Sequence, residues 1–245
     1  MQPGAEVNRV GWISTLGAAG LVALAATLAT TPAQAAPKVE DSIAQRVLAC
    51  TGCHGAQGRA ARDGYYPRIA GKPAGYLYNQ LLSFRDGRRH YAPMATLLAP
   101  LTDDYLREIA THFASLDLPY PAPQPATASV AGLALGQRLV TQGDGARRIP
   151  ACVACHGEAL TGVMPAIPSL IGMPRDYLHG QLGAWQTSNR RAAAPDCMAQ
   201  IAKVLTPDDI GAISQWLAGQ PVPLHAHAAA ALPAAMPIAC GSAKP

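Results

Sequence analysis

The 245-residue chain is poor in large aromatic side chains, with two Phe and three Trp, although 49% of its residues are hydrophobic. Phe and Trp normally supply much of the apolar area that a core buries. A domain of about 100 residues is marginal in apolar burial even with an ordinary aromatic content. The shortage therefore predicts that another group completes the interior.

The sequence also lacks a concentrated tract of either charge. Its formal net charge is +4, and lysine and arginine are spread along the chain rather than clustered. Proteins that bind nucleic acid usually carry a basic stripe or patch on one face. The charge pattern therefore argues against nucleic acid as a partner.

Long apolar runs are absent after residue 36, and one precedes it. Residues 12–31 are rich in Ala and Leu, and Ala33-Gln34-Ala35 follows as a small-x-small cleavage pattern. This arrangement is typical of a secretory signal peptide. We predict a signal peptide over residues 1–35 and export to the periplasm. The alternative is an uncleaved anchor, since about 20 apolar residues can span a bilayer.

What the chain does contain is an internal repeat. "CTGCHG" at residues 50–55 matches "CVACHG" at residues 152–157. Two longer pairs of segments match in the same order: 67–81 with 168–182, and 93–116 with 196–219. Chance similarity would not hold this order, so the chain is a duplication.

The segment between the repeats is rich in proline, with prolines at positions 119, 121, 123 and 125. Alternating prolines exclude helix and favour a stiff, extended linker. This pattern predicts four segments after the signal peptide: an N-terminal domain over 36–118, a linker over 119–129, a C-terminal domain over 130–220, and an Ala/Pro-rich tail over 221–245.

Each repeat is predicted to be helical. Apolar residues recur at helical spacing, and Ser42 (or Asp41), Thr102 and Thr206 stand where N-caps are expected. Residues 41–50 are predicted as one helix with Ile43, Val47 and Leu48 on one face. No extended stretch of alternating hydrophobicity is present. The fold class is therefore predicted to be all-α.

The repeated Cys-x-x-Cys-His motif is typical of covalent haem attachment. Two thiols on one face of a helical turn add across the haem vinyl groups, and the adjacent imidazole ligates iron. We therefore predict two haem c groups, one on Cys50, Cys53 and His54, and one on Cys152, Cys155 and His156. A redox disulfide and a zinc site are the competing interpretations.

The second axial ligand of each iron is predicted to be a methionine. Met94 lies 40 residues after His54, Met198 lies 42 after His156, and the two methionines occupy equivalent positions of the repeat. Methionine also packs in cores, and the rival histidine ligands are His90, His112 and His179. Pro67 and Pro168 recur 13 and 12 residues after the motif histidines. Their carbonyls are candidate acceptors for the histidine ring N–H.

Taken together, these features make the chain similar to the dihaem cytochrome c4 family. The resemblance covers residues 42–219, including the Pro-x-x-x-Gly-x-Pro-x-x-Tyr-Leu-x-x-Gln-Leu block of each repeat. It implies two tandem class I cytochrome c domains, each wrapped around one covalent haem. It also implies periplasmic electron transfer with redox protein partners, such as a membrane oxidase or a dehydrogenase.

Several arginines are candidate partners for haem propionates or for a docking protein. They are Arg59, Arg62, Arg88, Arg89, Arg147, Arg190 and Arg191.

Two cysteines, Cys197 and Cys240, remain outside the motifs. Because exported cysteines tend to be paired, we expect a disulfide between them. The alternative is that the Cys197 thiolate ligates iron in place of its neighbour Met198.

Function is predicted to be single-electron transfer between a respiratory donor and a terminal oxidase or other acceptor. With both axial positions filled, no catalytic residue is expected. The alternatives are a dihaem enzyme of the peroxidase or thiosulfate dehydrogenase type, and a dedicated haem subunit of a dehydrogenase or oxidase complex.

Overall fold

The structure is a computed structural model, and it describes residues 40–61, 63–224 and 226–243. The predicted signal peptide over 1–35 lies outside the described residues. The predicted domain boundaries stay predictions, because the described residues fall within one compact unit.

Short helices joined by irregular loops make up both repeats. In the first repeat the helices are α1 (Ile43–Arg46), α2 (Leu48–His54), α3 (Ala74–Arg85), α4 (Ala92–Leu98) and α5 (Asp103–Ala114). In the second they are α6 (Val130–Thr141), α7 (Val153–His156), α8 (Arg175–Gln186), α9 (Cys197–Ala202) and α10 (Pro207–Ala218). The strands among the described residues form one hairpin, β1 (Gly162–Val163) antiparallel to β2 (Ile167–Pro168). Short 3₁₀ turns cover Ala56–Gly58 and Gly241–Ala243.

The helix starts follow the capping residues in the sequence. The hydroxyls of Ser42, Thr102 and Thr206 each accept a hydrogen bond from the backbone N–H three residues later, at 3.4, 3.3 and 3.2 Å. Each bond satisfies one of the N–H groups that the first helical turn leaves without a partner. Asp41 does not cap α1, because its carboxylate pairs with Arg46 instead.

The single helix predicted over residues 41–50 is broken at Val47, which has φ −89° and ψ 6°. Val47 is buried as expected, but Leu48 is 56% exposed, so its predicted place on the buried face is wrong. Leu48 lies two residues before Cys50. Residues two apart do not share a helix face, so the orientation that turns Cys50 inward turns Leu48 outward.

Each repeat encloses its own apolar cluster. The first combines buried residues of α3 and α5 with Val47 and Leu98, and it contains both phenylalanines, Phe84 and Phe113. The second is built mostly from aliphatic side chains of α6, α8 and α10. In this second cluster α6 crosses α10 at Gly136, where a Cβ would overlap the carbonyl oxygen of Ala212.

The proline-rich segment predicted as a linker contains no helix and is held against the first repeat by a buried arginine. Arg68 is 1% exposed. Its guanidinium donates to the carbonyl oxygens of Leu118 and Pro119 and lies 4.0 Å from the ring centroid of Tyr120. The linker therefore has a fixed path rather than the freedom of a flexible tether.

The Ala/Pro-rich tail crosses from the second repeat to the first. Ala229 pairs with β1, accepting from the Met164 N–H at 2.8 Å and donating to the Gly162 carbonyl at 2.9 Å. Near its end, the Ser242 carbonyl accepts a hydrogen bond at 3.1 Å from the Asn79 amide on α3.

A disulfide joins Cys240 of this tail to Cys197 at the start of α9, across a sequence separation of 43 residues. The bond holds the end of the tail beside Met198. A thiolate of Cys197 is then not available to ligate iron, which leaves that alternative without support.

We predict that replacing both cysteines (Cys197→Ser with Cys240→Ser) lowers the free energy of unfolding by up to about 4 kcal/mol, because a closed loop of this size restricts the unfolded chain. Denaturant unfolding of the oxidised holoprotein measures the change. The reduced wild type serves as the control and should unfold like the double variant. Two free thiols in the unreduced wild type, detected by mass spectrometry, would contradict the pairing.

A partly buried ion pair fixes the loop that precedes the second motif. The Arg147 guanidinium donates to the carboxylates of Asp144 and Asp209, at 2.7 and 2.6 Å. Asp209 also accepts from the Thr206 N–H at 2.8 Å and completes a capping box on α10. Burial alone would raise the pKa of Asp209, but the hydrogen bonds from Arg147 and Thr206 outweigh it and lower that pKa.

We predict that Asp209→Asn lowers the free energy of unfolding at pH 7 by about 1–2 kcal/mol, the size of a lost cap. A carboxyl with a lowered folded-state pKa stabilises the protein above its ordinary pKa of about 4, and this contribution is lost on acidification. The difference between variant and wild type should therefore shrink by about pH 3. Asp208→Asn, at the exposed neighbour, is the control. An equal difference at both pH values would contradict the assignment.

Candidate haem sites

Both Cys-x-x-Cys-His motifs lie on short helices that end at the histidine. α2 ends at His54 and α7 at His156, and a glycine with positive φ follows each, 73° at Gly55 and 83° at Gly157. A Cβ at Gly55 would overlap the carbonyl oxygen of Ala60. Glycine thus lets the chain turn back directly after the histidine.

Each motif histidine donates a ring N–H to a proline carbonyl. Nδ1 of His54 lies 2.9 Å from the Pro67 oxygen, and Nδ1 of His156 lies 2.8 Å from the Pro168 oxygen. A carbonyl can only accept, so the proton is on Nδ1 and the free lone pair is on Nε2. This is the arrangement of a histidine that ligates a metal through Nε2.

Burial keeps both imidazoles neutral. His54 and His156 are 8% and 7% exposed, and desolvation lowers the pKa of each, although the proline carbonyl opposes the shift. A neighbouring cation adds to the lowering, Arg89 for His54 and Lys72 for His156. The neutral form is the one that can ligate iron.

The thiol pKa values of Cys50, Cys152 and Cys155 are shifted in the direction opposite to that of a redox-active pair. Burial raises the pKa of Cys50 and Cys155, and it raises the pKa of Cys152 to about 12. Redox-active Cys-x-x-Cys pairs instead have a lowered thiol pKa. A zinc site has no support either, since no three His, Cys, Asp or Glu side chains cluster within the described residues.

One cavity of about 570 Å³ extends through both repeats and is lined mostly by apolar side chains. The predicted site residues that line it are Cys50, Cys53, His54, Pro67, Met94, Cys152, Cys155, His156, Pro168 and Met198, together with both cysteines of the disulfide. The structure therefore brings all the predicted site residues to one connected space.

Among the methionines, Met173 and Met236 also line this cavity. Met173 is 4% exposed and belongs to the apolar cluster of the second repeat, and Met236 lies in the tail. Met198 is the one in register with Met94. Of the rival histidines, His90 lines the cavity, whereas His112 and His179 are not among its lining residues.

Polar groups in the lining suit the two carboxylates of a haem. Arg89 and Arg190 are 9% and 6% exposed, and no ion pair joins either to an acidic side chain among the described residues. The buried indole N–H of Trp185 has no hydrogen-bond partner in the same part of the chain. The cavity thus combines candidate iron ligands, candidate attachment thiols, two buried cations without an ion-pair partner in the described residues and one N–H without a hydrogen-bond partner there, which fits haem c.

The two arginines also join the repeats through a nearly symmetric network. Arg89 donates to Gln80 at 3.0 Å and to Gln181 at 2.6 Å, while Arg190 donates to Gln181 at 2.8 Å and to Gln80 at 3.0 Å. An antiparallel backbone bridge places Arg89 opposite Arg190. The four side chains occupy two pairs of equivalent positions in the duplication.

Aromatic side chains complete this network. Arg89 lies 4.4 Å from the ring centroid of Phe84 and Arg190 lies 3.9 Å from that of Trp185. Each arginine also donates to a tyrosine hydroxyl of the other repeat: Tyr177 at 3.1 Å for Arg89, and Tyr76 at 3.4 Å for Arg190.

Sequence reasoning named Arg89, Arg190 and Arg191, which line the cavity, together with arginines that do not. Arg62 lies outside the described residues. The sequence did contain a pattern that could have predicted this network, because a Tyr, a Gln and an Arg recur at equivalent positions of the two repeats. Sequence reasoning missed Lys72 and the tail residues Ile238, Ser242 and Ala243, which also line the cavity.

Comparison with known proteins identifies close relatives over most of the chain, although no family model matches it. A thiosulfate dehydrogenase electron acceptor from Thiomonas intermedia is 35% identical over 88% of this chain and 93% of that protein. Cytochrome c4 from Pseudomonas aeruginosa is 32% identical over 86% of this chain and 96% of that protein.

Solved structures show the same likeness. Reduced cytochrome c4 from Pseudomonas stutzeri matches with a TM-score of 0.63 and 28% identity, over 71% of this chain and 95% of that one. Thiosulfate dehydrogenase from Marichromatium purpuratum matches with a TM-score of 0.64 and 32% identity, over 70% of this chain. The match spans 36% of that longer chain.

These likenesses confirm the predicted fold class, two tandem class I cytochrome c domains, and the predicted cofactors, two covalently bound haem c groups. The chain belongs to the dihaem cytochrome c4 family and is an electron-transfer cytochrome.

Proposed function

We propose that this cytochrome accepts single electrons from a thiosulfate dehydrogenase in the periplasm and passes them to a terminal oxidase or another respiratory acceptor. The proposal is supported by the relative from Thiomonas intermedia, which carries the name of such an acceptor and matches along 93% of its length. Export depends on the predicted signal peptide. Within the described residues, no helix has both the length and the apolar composition needed to span a bilayer.

The observation that carries a carrier function is the repetition of one complete ligand set. In each repeat a buried histidine is held by a proline carbonyl, and an equivalent methionine lines the same cavity. When bound, each haem supplies a one-electron iron couple. His54 with Met94, and His156 with Met198, would hold the two irons, and the motif cysteines would hold the haems covalently.

An enzyme of the thiosulfate dehydrogenase or peroxidase type needs an iron with an open or exchangeable position. Two equivalent methionines argue against such a position, and Cys197, the alternative ligand, is bonded to Cys240. A dedicated haem subunit of a larger complex has the same chemistry as a carrier and differs in how permanently the partner is bound.

We predict that Met94→Ala and Met198→Ala each remove the weak long-wavelength Met–Fe(III) absorption band of one haem, so about half of the band's intensity is lost. Each variant should also bind about one carbon monoxide per protein when reduced, since one iron then has a free position. Met164→Ala is the control, because Met164 is 48% exposed and is not among the cavity-lining residues. A full band in either ligand variant would refute that ligand.

We predict that oxidised protein mixed with a thiosulfate dehydrogenase and thiosulfate becomes fully reduced, with close to two electrons taken up per chain. Stopped-flow absorbance at the reduced haem bands measures this uptake. Thiosulfate without the enzyme is the control and should leave the protein oxidised. Catalytic thiosulfate oxidation by this protein alone, with ferricyanide as acceptor, would favour the enzyme alternative instead.

A further inference from the structure

Lys72 is a buried amine that the first repeat contributes to the second. It lies in the loop before α3, is 4% exposed, and donates a hydrogen bond to the Ser169 hydroxyl at 2.7 Å. No ion pair joins it to a carboxylate among the described residues. The equivalent residue of the second repeat is Met173, which is also 4% exposed. The fold therefore accepts an apolar side chain at this position, and the amine needs another explanation.

The surroundings of Lys72 connect it to one haem site. Ser169 directly follows Pro168, whose carbonyl holds the ring N–H of His156. Lys72 also lines the shared cavity, and its charge lowers the pKa of His156. The cation that acts on His54 in the same way is Arg89.

These two cations differ in one property. An arginine guanidinium keeps its proton in proteins, whereas a buried lysine can lose it. A positive charge near an iron centre stabilises the state with one more electron and so raises its reduction potential. The cation that acts on His54 is thus permanent, whereas the cation that acts on His156 can lose its charge as pH rises.

We propose that Lys72 raises the reduction potential of the haem held by His156 and couples the reduction of that haem to proton uptake. The proposal rests on the ligation by His156 proposed above. When this site is reduced by one electron from the redox partner, the neutral fraction of the Lys72 amine would take up protons from water. Reoxidation returns both the electron and the protons.

The charge of Lys72 changes near neutral pH. Burial, followed by the repulsion of Arg68, lowers the pKa of Lys72 to about 7. The charged or titratable groups known to act on it or respond to it are Arg68 and His156. Arg68 is committed to the linker carbonyls, and His156 is neutral, so neither replaces Lys72 as the proton acceptor.

The test is a potentiometric titration of the holoprotein from pH 5.5 to 8.5, with the haem methyl resonances resolved by NMR. In the wild type, the potential of the His156 haem should fall as pH rises from about 6 to 8, because the charge is lost. The potential of the His54 haem should change much less over this range.

Variants separate charge from proton coupling. Lys72→Met introduces the residue that the second repeat has at the equivalent position, Met173. This variant should give the His156 haem a low reduction potential that does not change with pH. At pH 6 its reduced-to-oxidised ratio at a fixed potential should fall by roughly tenfold, which is about 59 mV for one electron. Lys72→Arg should give the His156 haem a high reduction potential that does not change with pH.

Ser169→Ala removes the hydrogen-bond acceptor of the Lys72 amine. It should lower the pH at which the potential of the His156 haem is halfway through its change.

Three results would overturn the inference: a wild-type potential that does not change with pH, a slope that persists in Lys72→Met, or equal shifts at both haems. None of these bears on the carrier function. Haem content and the Met–Fe(III) bands of the Lys72 variants report on ligation, and reduction by a thiosulfate dehydrogenase reports on the partner. Failure of those two assays would count against the proposed function instead.

Discussion

The hydrogen bond from a buried imidazole to a proline carbonyl is the contact on which each haem site depends. It fixes the tautomer, keeps the ring oriented in a desolvated interior, and leaves Nε2 free. The bond spans 13 residues in the first repeat and 12 in the second. A glycine with positive φ follows each histidine and reverses the direction of the chain. This reversal lets the proline carbonyl come back to the imidazole.

Duplication produced two sites of the same design that are not electrostatically equal. The network of Arg89, Arg190 and their glutamines is symmetric, because each member has an equivalent in the other repeat. Lys72 breaks the symmetry, since its hydrogen bond crosses to the second repeat and Met173 has no such group. One duplicated fold can therefore hold two haems of different reduction potential when a cation between the repeats, such as Lys72, has no counterpart at the equivalent position of the other repeat.

The sequence was a good guide to features fixed by local spacing and a poor guide to contacts between repeats. The motif helices, the helix caps and the proline acceptors depend on residues a few positions apart or on the internal repeat. The Lys72–Ser169 contact depends on how the repeats pack, which no helical period encodes. Leu48 shows the same limit within one element, because helical spacing around Val47 could not reveal the break there.

The short helices that carry the two methionines show how different residues restrain equivalent positions. In the first repeat Pro93 precedes Met94, and the proline ring fixes the backbone φ just before the ligand. In the second repeat Cys197 precedes Met198 and is bonded to the tail. A thioether bonds iron weakly enough that a mobile segment would lower its occupancy, so the segment must be restrained in advance. The tail therefore does for the second site what one proline does for the first, and this explains why an Ala/Pro segment outside both repeats carries a cysteine near its end.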